Sequence, residues 1–176
     1  MRKRAAIAAI AATGMLCVGG ATGHVGGGHV FSLAQPQIDV LSVMDKVPEQ
    51  AEIENAFGPS PIQGLIDVAN GIAESDPGVR LRAFRALALY PGDSVARAAL
   101  VAAIADHSDA LSGVEVLYLR AAIEALGVIG EPQDVAVLAP MLDFEASRDV
   151  RAATAHALRE LGAAAAIDPL RDRLAR

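Results

Sequence analysis

Apolar residues in the second half of the chain recur at helical spacing, and then whole blocks of them recur. In the stretch from Val150-Arg151-Ala152-Ala153 to Gly162, the apolar positions are the first, an Ala-Leu pair seven and eight residues later, and a leucine eleven later. Thirty-two residues upstream, Tyr118 opens the same series with Ala125-Leu126 and Ile129. A further 39 upstream, Val79 opens it with Ala86-Leu87 and Tyr90. This spacing lays one apolar stripe along an α-helix. Each block ends in a residue that stops helices, namely Pro91, Gly130 or Gly162.

A second apolar segment of helical period follows each block, over residues 94–105, 133–142 and 163–174. The last two superpose at the same offset of 32, Val135 on Ile167, Leu138 on Leu170 and Leu142 on Leu174. Pro140 and Pro169 fall inside them. A proline there removes a backbone donor and crowds the preceding turn, so bent or broken helices are expected. The pattern predicts three helix-pair repeats, over about 74–106, 112–143 and 147–176. Upstream, residues 61–73 have the spacing of another second helix, and 38–57 supply an imperfect partner interrupted by Pro48. Residues 38–73 therefore read as a degenerate N-terminal repeat. A single helix pair cannot bury its apolar face, so the repeats must stack.

Composition supports an all-α fold. The chain is 53% hydrophobic but only 3% aromatic, without tryptophan. Leu and Ala lose little side-chain entropy in a helix, whereas sheets favour β-branched and aromatic residues. Residues 1–23 have the three parts of a signal peptide: Arg2-Lys3-Arg4, an apolar run over 5–18, and a small-x-small site at Ala21-Thr22-Gly23. Export to the periplasm or beyond is the expectation, with an uncleaved membrane anchor as the competing reading. The single cysteine, Cys17, follows the bulky Leu16, where a lipidation site needs a small residue. Residues 24–37 read as a flexible Gly-rich linker, and His24 and His29 within it as tail rather than metal ligands. Net charge is -6. Without the three leader bases, 12 basic residues face 21 acidic ones. That balance argues against nucleic acid and anionic membrane as partners.

Two sequence signatures resemble a known family. Asp76-Pro77-Gly78-Val79-Arg80 and Ser147-Arg148-Asp149-Val150-Arg151 open two of the blocks, and Ala125-Leu126-Gly127-Val128-Ile129-Gly130 closes the third. Together they resemble HEAT repeats, in the short variety also found in phycobilisome lyases. The resemblance covers residues 74–176. It departs in the middle block, where Tyr118-Leu119 stands in place of Val-Arg and the preceding loop is longer. It implies a right-handed α-solenoid of stacked antiparallel helix pairs. It further implies that Arg80 and Arg151 join a ladder with carboxylates, Asp76, Asp149 and Glu115 being the candidates. A carboxylate fork suits a partly buried guanidinium.

No catalytic, cofactor or metal constellation emerges. The chain contains no G-x-S-x-G, P-loop or H-E-x-x-H. Neither His107 nor His156 has a second ligand at metal spacing. The reading that follows is an exported scaffold or adaptor for another protein, with no cofactor. Its candidate contact residues are polar positions of the second helices: Arg97, Asp134, Arg171 and Asp172. The alternatives are a lyase-like enzyme or enzyme accessory, by resemblance, and a structural spacer of the envelope.

Overall fold

The computed structural model describes residues 33–43, 48–73, 76–162 and 164–175. The leader and most of the glycine-rich segment lie outside the described residues. Among those described, all regular structure is helical.

The N-terminal region holds α1 (Gln35–Ser42), α2 (Gln50–Phe57) and α3 (Pro61–Ala69). The linker expected to extend to residue 37 therefore gives way to helix at Gln35. Pro36 does not prevent this, because it sits in the first turn, where its missing N–H has no intrahelical partner to lose. The imperfect partner expected over 38–57 is two short helices. Leu41 and Ile53, one from each, are fully buried.

Three helix pairs follow. The first is α4 (Pro77–Ala86), continued by a 3-10 turn over Leu87–Leu89, and α5 (Ser94–Asp106). The second is α6 (Val114–Ile129) and α7 (Val135–Leu138), the latter flanked by 3-10 turns over Pro132–Asp134 and Ala139–Asp143. The third is α8 (Arg148–Leu161) and α9 (Ile167–Leu174), preceded by a 3-10 turn over Ala164–Ala166. Pro140 breaks the second helix of its pair into 3-10 geometry, as its lost donor requires. Pro169 instead falls in the first turn of α9, where it is tolerated.

The helix starts are set by short polar side chains. Asp76 accepts the Gly78 N–H at 2.7 Å, Asp93 accepts those of Val95 and Ala96 at 2.8 and 2.9 Å, and Ser147 accepts that of Val150 at 3.3 Å. Each replaces a partner that the first helical turn cannot supply. α8 stops at Gly162, whose φ of 59° is the left-handed cap that glycine adopts without a Cβ clash.

α6 is the centre of the molecule. It packs against α4 on one side, α8 on the other, and its own partner α5. Tyr118, Leu119, Ala122, Ile123 and Leu126 are all fully buried along it. The core continues through Phe84 and Leu87 towards the N-terminal helices, and through Val150, Ala157 and Leu158 into α8. α9 buries none of its residues.

Candidate functional site

The charged side chains singled out by sequence occupy two distinct settings. Arg97, on α5, reaches across to Asp134 in the next pair, at the start of α7. Nε donates to Oδ2 at 2.7 Å and an Nη to Oδ1 at 2.9 Å. Asp134 is 2% exposed, and its Oδ2 also accepts the Glu131 N–H at 2.8 Å. Burial alone would raise the Asp134 carboxyl. The Arg97 hydrogen bonds, the Glu131 N–H and the Arg97 charge outweigh it and hold the group below the ordinary aspartate range. Arg97 and Asp134 are therefore not free contact positions. They clamp the first pair to the second.

The ladder expected around Arg80 and Arg151 takes another form. Arg80 Nε donates to the Ala69 carbonyl at 3.0 Å, and its guanidinium lies 4.4 Å from the centroid of the Tyr118 ring. Arg151 donates to the Phe144 carbonyl at 2.8 Å. Both arginines thus hold the tail of the preceding repeat by a backbone carbonyl rather than a carboxylate. Asp76 is engaged as the cap of α4, and Asp149 lies exposed in the first turn of α8. Glu115 bonds His107 Nδ1 at 2.7 Å. Inter-repeat carbonyls need a donor that stays charged and planar when half-buried, and arginine supplies it.

Sequence reasoning missed the cluster this creates. Phe84, His107 and Tyr118 bring their ring centroids within 5.7–6.4 Å of one another, beside Arg80. One signal was present. Tyr118 stands at the repeated valine position of the block in which Leu119 replaces the arginine that follows it in the other two, and it offers its ring to the arginine of the preceding block. The Tyr118 hydroxyl is buried without a well-formed hydrogen bond; burial pushes its phenol up, and the charge and proximity of the Arg80 guanidinium oppose that rise. Leaving such a hydroxyl unpaired costs roughly 1–3 kcal/mol. Tyr118→Phe keeps the ring under Arg80 and removes the orphan. It is expected to leave the melting temperature unchanged or raise it, and a fall of several degrees would reveal a hydroxyl contact.

A cleft of about 500 Å³ opens between α6 and α8, lined by Arg120, Glu124 and Val128 on one wall and by Asp149, His156 and Glu160 on the other. Its charges largely answer each other. Arg120 and Arg85 both pair with Glu124, at 2.7 and 3.6 Å, and Arg159 pairs with Glu160 at 2.8 Å. Arg171 and Asp172 stand on the exposed side of α9, and Arg171 meets only Asp168, at 3.3 Å, among the described residues. Of the four candidate contact residues, these two remain available to a partner.

The clamp makes a pH-dependent prediction. A depressed native carboxyl stabilises the fold fully above the unfolded aspartate value, about 4, and that contribution vanishes as pH falls through the native value. Arg97→Met strands the Asp134 carboxylate, at a cost of roughly 2–3 kcal/mol near neutral pH. Without Arg97 only the Glu131 N–H still offsets the burial of the carboxylate, so the variant loses less on protonation of Asp134 than the parent does. The gap in melting temperature between parent and variant is expected to be widest near pH 7 and to narrow as pH falls below the ordinary aspartate range. A gap that widens on acidification would show that Asp134 is not the group responsible.

Stacked helix pairs of this kind, joined by inter-repeat clamps, define a helical-repeat protein. Residues 111–176 match the family model for HEAT repeats, and this part of the chain is a HEAT-repeat segment. No curated protein and no solved structure matches the chain at a significant level.

Proposed function

We propose that the chain is an exported scaffold or adaptor that binds another protein through its helical surface. The observation carrying this reading is the HEAT segment itself, because HEAT repeats in general mediate protein–protein interaction. Residues 74–106 are a further repeat in this reading, and the pairs run antiparallel in a right-handed solenoid. Such a stack presents an extended surface that no single repeat provides. Arg171 and Asp172 are the contact residues retained from the second helices. Export rests on the tripartite leader over 1–23.

Capture from the native host's envelope fraction, followed by reconstitution from purified components, tests the adaptor. The expected result is a stoichiometric complex weakened by substitution on the helical surface. Failure of every captured protein to rebind a folded chain would remove the reading. Export is checked separately by N-terminal sequencing and intact mass on fractionated cells. A mature chain beginning near His24 is expected, and full-length chain recovered with cytosolic markers would overturn export.

A further inference from the structure

A groove of about 520 Å³ lies between α1 and α2. Pro36, Val40, Val43, Pro48 and Ala56 give it an apolar lining, and Val43 is 47% exposed there. The charged groups of the lining are the carboxylates of Asp39 and Glu52. Asp39 accepts a hydrogen bond at 2.7 Å from the Gln35 amide, which carries no charge to offset its own. The surroundings stay acidic when the cations that reach in are counted. Residues 33–73 hold six carboxylates and Lys46. Arg80 and Arg82 come from α4 onto the Ala69 and Leu41 carbonyls, outside the lining, and still leave three carboxylates in excess.

Residues 1–32 have the complementary character. They contain Arg2, Lys3 and Arg4 but no carboxylate, and residues 5–18 are the apolar run. Such a run is unfavourable in water and gains by covering any apolar surface within reach. Fourteen residues, six of them glycine, separate Val18 from Leu33 at the entrance to α1. A glycine-rich chain of that length spans about 20 Å on average. α1, with eight residues, is about 12 Å long. The run is thus tethered within reach of the groove, at an effective concentration in the millimolar range.

We propose that residues 5–18 occupy the α1–α2 groove of their own chain. Met15, Leu16 and Val18, nearest the tether, cover Val40, Val43 and Ala56, and Arg2-Lys3-Arg4 lies along the surplus carboxylates. The contact is intramolecular, so it does not change with protein concentration, and its ionic part weakens with salt. While the leader is attached the groove is closed to other ligands, and removal of the leader opens it. The contact depends neither on export nor on the foreign partner proposed above, only on a chain that still carries its leader.

Cys17 is the single cysteine and stands between Leu16 and Val18, so a nitroxide can be attached there without any substitution. Full-length chain from cell-free synthesis, carrying that label, tests the proposal by NMR and electron paramagnetic resonance. The expected result is loss of amide signals centred on Val40, Val43 and Ala56, together with an immobilised nitroxide. Both effects should disappear in Val43→Asp, with circular dichroism confirming that the variant stays folded. They should disappear equally in Leu16→Asp, which changes no residue of the helical body. A freely tumbling nitroxide in the parent overturns the proposal. So does signal loss spread evenly around Leu33, centred on another face, or surviving either substitution. Signal loss in an isotope-labelled chain without nitroxide, mixed with a spin-labelled chain, overturns it as well, because the leader of one copy would then be covering another.

Discussion

Leu158→Asp is expected to unfold the chain near room temperature. Leu158 is 1% exposed and belongs to the same core as Ile123 and Leu126 of α6. Losing a buried leucine already costs about 2–5 kcal/mol through transfer and cavity terms. The aspartate adds the burial of a polar group without a partner, several kcal/mol more even when protonated. Their sum is comparable with the whole stability of an ordinary domain, about 5–15 kcal/mol. The same substitution at Leu174, 89% exposed, provides the control. Surface changes of this sort usually stay within about 0.5 kcal/mol. Thermal melts by circular dichroism compare the two directly. A Leu158→Asp melt that overlays the parent would mean that the repeated Ala-Leu stripe is not the buried face of α8.

That stripe is the part of the fold most legible in the sequence. Ala86-Leu87, Ala125-Leu126 and Ala157-Leu158 hold equivalent positions in three blocks, and all six residues are buried. Burial of this kind is written in local periodicity, which a single sequence displays. The second helices were less legible because Pro140 divides one and Pro169 resets the start of another. The polar contacts were least legible, since they join residues far apart in the chain. Arg97 and Asp134 are 37 residues apart, and a helical wheel shows each only as polar. The resemblance to HEAT repeats drew Arg80 and Arg151 towards carboxylates. Their carbonyl partners, Ala69 and Phe144, depend on where the preceding helix ends in space, and no side chain records that.

Gly127→Ala is expected to destabilise the chain even though alanine is the better helix former. On propensity alone the change would stabilise α6 by about 1 kcal/mol. A Cβ added at Gly127 would lie 2.7 Å from both Cα and Cβ of Ala157. Carbon atoms in contact prefer about 3.5–4.0 Å, and a backbone atom cannot swing aside as a long side chain can. α6 and α8 must therefore move apart along the most extensive helix–helix contact in the molecule. Overpacking of this kind costs about 1–3 kcal/mol, which exceeds the propensity gain over most of that range. Gly127→Val brings further methyl groups to the same place and should cost more. Urea unfolding measures both changes through the midpoint at constant slope. A second substitution separates steric pressure from any other cause. Ala157→Gly alone should lose about 1 kcal/mol of helix propensity, yet in the Gly127→Ala background it removes one of the two clashing atoms. The double variant is expected to be more stable than the two single losses added together. Gly127→Ala as stable as the parent, or a double variant showing simple additivity, would mean that α6 and α8 do not meet at this glycine.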